Sequence, residues 1–292
     1  MKIGLIGLGI MGKPMAKNLL KAGYSLTVYT PKAEVVRELE ALGAKGASCN
    51  REVAENSDII FTMVPNSPQV REAVLGENGA LEGMKPGTIL VDTSSINPTE
   101  TRAICAELEK KGCFMIDAPV SGGEPKAIDG TLAFMCGGKP EIFDQVKDIL
   151  ACMGSSVTLC GDIGAGNATK LANQIIVACN IAALSEALSL GSKMGVNPEN
   201  IYRAIRGGLA GSTVMDAKAP MMLDHNFKPG FRIELHIKDL NNAMDAAGVS
   251  DVQLPLTQSV LAMMKQLQAQ GKGGNDHSGL LEYYEQLNEF TL

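Results

Sequence analysis

Three groups of residues in the chain have the types and spacing to do chemistry. The first is Gly7, Leu8, Gly9, Ile10, Met11 and Gly12, which follow a short apolar run at residues 3–6 and precede an amphipathic stretch carrying Met15, Leu19 and Leu20. Strand, glycine turn and helix start in that order make a dinucleotide site. Gly7 permits the tight turn, Gly9 lets the backbone approach a pyrophosphate, and Gly12 lets helix and strand pack closely, while the N–H groups and positive dipole end of the helix face the phosphates. A purely structural strand-to-helix turn is the competing reading. The second group is Lys170, Asn173 and Gln174, which share one helix face through their i, i+3, i+4 spacing. Polar residues on the first turns of an otherwise apolar helix need an outlet, either solvent or a site. Third, Ser121, Gly122 and Gly123 supply a hydroxyl and exposed backbone N–H groups in a turn, which suits a small carboxylate or hydroxyl substrate. The G-x-S-x-G spacing of a nucleophile elbow is missing there, and a structural turn explains the stretch equally well.

The elements that must hold these groups alternate. A strand at 25–29 ends at Thr30, Pro31 and Lys32, where a dinucleotide fold usually places Asp or Glu for the adenosine ribose. With no carboxylate to repel a 2′-phosphate, and with Thr30 and Lys32 able to hydrogen-bond one, NADP is favoured and NAD still admitted. Lys32 also reads as a solvated helix-start residue. Helix 34–42, strand 58–64, helix 67–75, strand 88–92 and helix 98–111 continue the alternation, which implies a parallel sheet with helices on both faces. Ligands collect beyond the carboxyl ends of such strands. Val64 and Pro65 after the third strand and Ser95 after the fourth therefore stand out, Pro65 turning the chain over the nucleotide and Ser95 offering a hydroxyl to ribose or nicotinamide amide. Turn and N-cap chemistry accounts for each of them as well. Strands at 113–117, 131–136 and 157–160 and a helix at 140–153 complete this half.

From 165 to 194 there is no strand signal but one long helical pattern, and 198–206, 212–217, 233–247, 254–270 and 278–288 also read as helices between Gly and Pro punctuation. The expected fold class is α/β: an N-terminal Rossmann-type, doubly wound, mainly parallel sheet at 1–162, then an all-α domain at 163–292 for substrate binding and oligomerisation, opening with a long interdomain helix. A length of 292 residues agrees with two domains.

Composition narrows the function classes. Hydrophobic content of 45% with 20% charged residues is that of a soluble globular protein, and a net charge of −6 argues against nucleic acid or an anionic membrane as partner. The apolar stretches read as too short and too interrupted to span a bilayer, and the N-terminus lacks signal-peptide character, so a cytoplasmic location is expected. Seven scattered cysteines without a CxxC pair read as reduced thiols in apolar surroundings, and with His225, His236 and His277 dispersed, no metal is expected.

Side by side, GLGIMG at 7–12, DAPVSGG at 117–123, GAGNATKLANQ at 164–174 and HIKDL at 236–240 resemble the β-hydroxyacid dehydrogenase family along the whole chain. The resemblance implies a nicotinamide-dependent oxidoreductase with a Rossmann domain, a helical domain and the active site between them. It implies Lys170 as the catalytic lysine, Ser121, Gly122 and Gly123 as the substrate loop, and Lys238 as a lysine closing over the nicotinamide end. Ser95 and the Val64-Pro65 turn match cofactor contacts. Many relatives carry Asn where this chain has Gln174, with Asn173 one place earlier, so both are candidates for substrate contact. Reduction chemistry agrees: as hydride reaches an aldehyde carbon, negative charge grows on its oxygen, and a nearby cation and proton donor stabilises it. An ordinary lysine, with a pKa of about 10.4, is charged at neutral pH and suits that direction. The expected partners are a small carboxylate-bearing semialdehyde or hydroxy acid and further copies of the chain, as a dimer or tetramer. A binding module without turnover is the alternative class, and the presence of Lys170 speaks against it.

Overall fold

The computed structural model describes residues Met1–Leu292. Nine strands form one sheet: β1 (Lys2–Ile6), β2 (Ser25–Tyr29), β3 (Lys45–Gly46), β4 (Ile59–Thr62), β5 (Ile89–Asp92), β6 (Phe114–Asp117), β7 (Val120–Ser121), β8 (Leu132–Gly137) and β9 (Gly154–Gly161). Their order begins β3-β2-β1-β4-β5-β6, with every pairing parallel. Next, β8 runs antiparallel to β6 and β7, and β9 pairs with β8 alone, in parallel. The chain winds outward from β1 in one direction and from β4 in the other. That reversal is the switch point at which open α/β sheets bind ligands, and the Gly7 loop and the Val64-Pro65 turn leave the two strands that flank it.

Period-two alternation sends side chains to both faces. Ile3, Leu5, Ile59, Phe61, Ile89, Val91 and Ile116 join Met15 and Leu19 in one buried cluster. Their neighbours Ile6, Ile60, Leu90 and Met115 join Val70, Val74, Ile104 and Leu108 in another. Helices Gly12–Lys21, Ala33–Glu40, Ser67–Leu75, Pro98–Lys110 and Pro140–Ala151 cover these faces, so the sheet is buried on both sides as parallel sheets require. Four short elements, β3, β7, Asn50–Glu55 and Ala80–Gly83, were not expected from the sequence, because too few residues lie in each to display a period.

Beyond the sheet every element is helical: Ala165–Lys193, Pro198–Ile205, Thr213–Leu223, Ile233–Val249, Pro255–Leu267 and Leu281–Leu287. Ala178, Ile181, Leu184, Leu188, Met222, Leu240, Met264 and Leu267 form their buried core. The helix expected to end at 217 continues through Pro220 to Leu223, because Met215, Ala219 and Met222 carry its buried face onward. The one expected at 254–270 stops at Leu267, where a wider turn takes over and Gly271 breaks it at φ 82°. The expectation that no apolar stretch is long enough for a bilayer fails for Ala165–Lys193, which reaches 29 residues with a mean hydropathy of 1.6 over its most apolar 18. Ala178, Ile181, Leu184 and Leu188 of this helix belong to the core just described.

The chain divides into compact units Met1–Lys170 and Leu171–Leu292. The sequence reading placed its boundary at 162/163. The division falls later, inside the long helix, because the first turns of that helix are bonded into the sheet.

Candidate active site

The cofactor half is built on the switch point. Gly7 leaves β1 at φ 93°, donates its N–H to the Tyr29 carbonyl at 3.0 Å, and has no room for a side chain: a Cβ there would strike the Met63 carbonyl and approach Val64 Cγ1 to 2.8 Å. A Cβ on Gly12 would collide with the Gly7 carbonyl. Above Gly9, by contrast, no protein atom lies within 4 Å of where a Cβ would sit. The helix that follows has no capping side chain and no acidic residue in its first turn, so its opening N–H groups suit an anion. Ile10 is 55% exposed on this loop. Loop and helix start therefore fit a dinucleotide pyrophosphate. At the end of β2, Thr30 is half-buried and Lys32 exposed, and the first carboxylate is Glu34, in the opening turn of Ala33–Glu40.

Buried carboxylates at the ends of adjacent strands organise the next turns. Asp92 and Asp117 stand opposite each other in the β5–β6 register, and neither is exposed. Asp92 Oδ1 accepts from Thr62 Oγ1 at 2.7 Å and from the Ser94 N–H at 3.0 Å, and Ser94 Oγ in turn accepts from the Val64 N–H at 3.0 Å. The Val64-Pro65 turn is thereby tied to the stretch leading into half-buried Ser95. Asp117 accepts from the Gly164 N–H at 2.7 Å through Oδ1 and from the Asn167 N–H at 2.6 Å through Oδ2. It caps the long helix, on which Lys170, only 7% exposed, lies in the second turn. Burial pushes the Asp117 carboxyl up to about 6, against the pull of the two backbone donors, and the neighbouring Asp92 charge adds to the rise. Ser121 pairs with Ala133 between β7 and β8. Gly122 and Gly123 after it adopt φ 138° and 71°, conformations that favour glycine. Burial lifts the thiols of Cys105 and Cys136 to about 11 and about 12, so neither is a nucleophile at neutral pH.

In the second unit Asn173, Gln174 and Lys238 meet in one polar cluster. Gln174 Nε2 donates to Asp239 Oδ2 at 2.6 Å, and Gln174 Oε1 accepts from Asn173 Nδ2 at 2.9 Å. Lys238 Nζ lies 2.9 Å from Asp239 Oδ1. His236 Nε2 stands 3.1 Å from the Gln174 carbonyl, which can only accept. The proton of a neutral His236 is therefore on Nε2, and its Nδ1 accepts from His277 Nδ1 at 2.9 Å. Gln174 is thus engaged on both its backbone and its amide, whereas Asn173 is half-buried.

Residues 2–161 match a family model described as the NAD binding domain of 6-phosphogluconate dehydrogenase, and residues 164–284 one described as NAD-binding of NADP-dependent 3-hydroxyisobutyrate dehydrogenase. The chain is 45% identical to 2-hydroxy-3-oxopropionate reductase of Escherichia coli (strain K12) over the whole of both proteins. The chain belongs to the β-hydroxyacid dehydrogenase family. It is an NAD(P)-dependent hydroxyacid dehydrogenase. This dehydrogenase is also 38% identical to 2-(hydroxymethyl)glutarate dehydrogenase of Eubacterium barkeri, over 100% of its own chain and 97% of that one. A solved Mycobacterium tuberculosis 3-hydroxyisobutyrate dehydrogenase with L-serine superimposes with a TM-score of 0.90 at 30% identity, covering 96% of this chain and 98% of that one.

Sequence reasoning did not single out Asp92, Asp117, Asn167, Asp239 or the His236–His277 pair of this dehydrogenase. A carboxylate as the last residue of an apolar strand, as in ILVD and FMID, is the signal that was available for the first two. The folded chain holds the Asp117 proton more tightly than an ordinary carboxylate would. Its stabilising contribution is therefore full below pH about 4 and is lost as pH rises through about 6. The stability of the wild type relative to Asp117→Asn should accordingly fall by about 3 kcal/mol between pH 4 and pH 7 in chemical unfolding. A difference that is flat or grows over this range would contradict the assignment.

Proposed function

We propose that this enzyme reduces tartronate semialdehyde (2-hydroxy-3-oxopropionate) to D-glycerate. The observation that carries the reading is a buried cation, Lys170, on the helix that also bears Asn173. Full-length likeness to the Escherichia coli reductase supports the choice of semialdehyde. Bound NADPH supplies a hydride from nicotinamide C4 to the aldehyde carbon. The Lys170 ammonium stabilises the negative charge that grows on the aldehyde oxygen and donates the proton that completes the alcohol. Ser121 and the N–H groups of Gly122 and Gly123 hold the substrate carboxylate. Of the two neighbouring amides, Asn173 contacts substrate and Gln174 braces it, because the Gln174 side chain is committed to Asp239.

The cofactor is held along residues 7–12: the backbone of Gly7, Leu8, Gly9 and Ile10 with Met11 and Gly12 receives the pyrophosphate, and the exposed Ile10 side chain is covered by the dinucleotide. Val64, Pro65 and Ser95 contact its nicotinamide half, and Lys238 closes over that end. Thr30 and Lys32 take the 2′-phosphate of NADP, which the absence of a carboxylate at residues 30–32 admits. A lone lysine is a point charge and not a bidentate fork, so the preference for NADPH is modest.

The enzyme works as a homo-oligomer. Ile176, Leu190 and Met194 are 60%, 64% and 73% exposed, and with exposed Ala183 and Ala187 they recur at spacings that keep them on one side of a helix. A contiguous apolar stripe of this kind marks a contact surface, and a second copy of the chain is the proposed occupant.

Four outcomes are expected. Lys170→Ala should lower kcat at least about 100-fold with cofactor affinity nearly unchanged. In a panel of tartronate, methylmalonate and succinate semialdehydes and glyoxylate, the first should show a kcat/KM at least about tenfold above the rest; turnover led by methylmalonate semialdehyde would favour the 3-hydroxyisobutyrate reading and succinate semialdehyde the γ-hydroxybutyrate one. For the cofactor, Thr30→Asp should shift kcat/KM toward NADH by about 1–3 kcal/mol, and a wild type favouring NADH about a hundredfold would defeat the NADP assignment. Finally, Leu190→Glu should lower the assembly state seen by analytical ultracentrifugation, and an unchanged sedimentation profile would remove the stripe from the interface.

A further inference from the structure

We propose that Asn167 is a positioning residue for Lys170, locking the helix turn before the lysine to the turn at residues 95–97 that meets the cofactor. The proposal rests on the roles given to Lys170 and Ser95 above. Asn167 is fully buried, and each of its polar groups has a defined partner. Its backbone N–H donates to Asp117 Oδ2 at 2.6 Å, its Oδ1 accepts the Ile96 N–H at 2.9 Å, and its Nδ2 donates to Thr101 Oγ1 at 3.2 Å. Ile96 directly follows Ser95, and Thr101 sits in helix Pro98–Lys110. Lys170 comes three residues after Asn167, so the two side chains leave the same face of the helix one turn apart.

A buried carboxamide is costly unless every partner is in place, and an apolar side chain would fill the space without that cost. What the carboxamide adds is directional: it is a rigid plane that accepts from one segment and donates to another, and both bonds hold only while helix and turn keep their register. The residue before it leaves no slack. A Cβ on Gly166 would strike the Met135 carbonyl and come within 2.6 Å of the Asp117 carbonyl, so the helix start is packed hard against the sheet and cannot settle elsewhere. The distance from the lysine ammonium to the reacting carbonyl, whose nicotinamide partner is placed by the 95–97 turn, is therefore fixed through Asn167. A small misplacement of that kind slows the chemical step far more than it weakens binding.

The test is a double-variant cycle read as kcat per cofactor-binding site, with sites counted by NADPH fluorescence titration. Asn167→Ala should lower kcat about 10- to 100-fold while semialdehyde KM changes less than about threefold. In the Lys170→Ala background the same substitution should cost less than about threefold, because a residue acting through the lysine has nothing left to position. Thr101→Val, which removes only the Nδ2 partner, is carried through the same cycle and serves alone should Asn167→Ala fail to fold; it should show a smaller loss that also vanishes without Lys170. Losses that multiply in the double variant, or a lowered Tm with kcat per site unchanged, would overturn the proposal. Near-wild-type turnover in Lys170→Ala would instead overturn the catalytic reading on which it rests.

Discussion

Two backbone N–H groups, those of Gly164 and Asn167, converge on the buried carboxyl group of Asp117, and the geometry of the first unit's chemistry depends on that convergence. The opening N–H groups of a helix have no partner within the helix and carry its positive dipole end. Burying them against a sheet without an acceptor would cost several kcal/mol. Asp117 supplies that acceptor from the last position of β6, and the backbone reaches it because Gly137 and Gly166 carry no side chain to keep strand and helix apart. The placement of the first turns of the long helix, and with them of Lys170, is thus decided by the end of a four-residue strand. Asp92, paired beside it in the sheet, does the corresponding work for the turns at 62–65 and 93–95. Both carboxylates are thus spent on fixing the backbone of the turns and of the helix start.

What could be read in the sequence was whatever is local. The glycine turn declares itself because strand, glycines and helix start are adjacent, and the main strands and helices because each displays its period over enough residues. Asp117 and Asn167 could not be recognised in that way, since their partners lie 50 and 71 residues distant and only the β5–β6 pairing brings them together. For the same reason the sequence does not show that Gln174 is bonded to Asp239, 65 residues further on. The bilayer-length character of Ala165–Lys193 is hidden residue by residue, because polar positions interrupt it, and shows only in its average. The helix expected at 212–217 runs on through Pro220 because its buried face continues past that residue. There tertiary burial, which no local pattern displays, decides the outcome.

Family membership explains why these devices sit where they do without making them generic. A nicotinamide-dependent hydroxyacid dehydrogenase needs a phosphate loop, a cation near the carbonyl and a grip on a carboxylate. The present chain meets the first with a loop that has no room for side chains at Gly7 and Gly12 and open space above Gly9. The lysine proposed for the second stands on a helix anchored at its first turn. In the second unit the Gln174–Asp239–Lys238 chain and the histidine pair behind it show the same habit, in which polar groups hold one another so that few are left to choose their own orientation.

Strand β9 has a further consequence, for assembly. It pairs with β8 alone, so eight residues of main chain lie at a border of the sheet, and such borders recruit strands from other molecules. The border is poorly suited to recruitment. Its register slips twice, at Leu132/Ala133 and at Cys136/Gly137, and it finishes on Gly161 at φ 148°, which breaks the even ladder an incoming strand would have to match. Lys45 and a length of two residues blunt β3 at the opposite border. With both rims closed to strand addition, copies of this chain are steered away from fibrous, edge-to-edge aggregation, and any association between them must be made by side chains on helices, where it can be specific and finite.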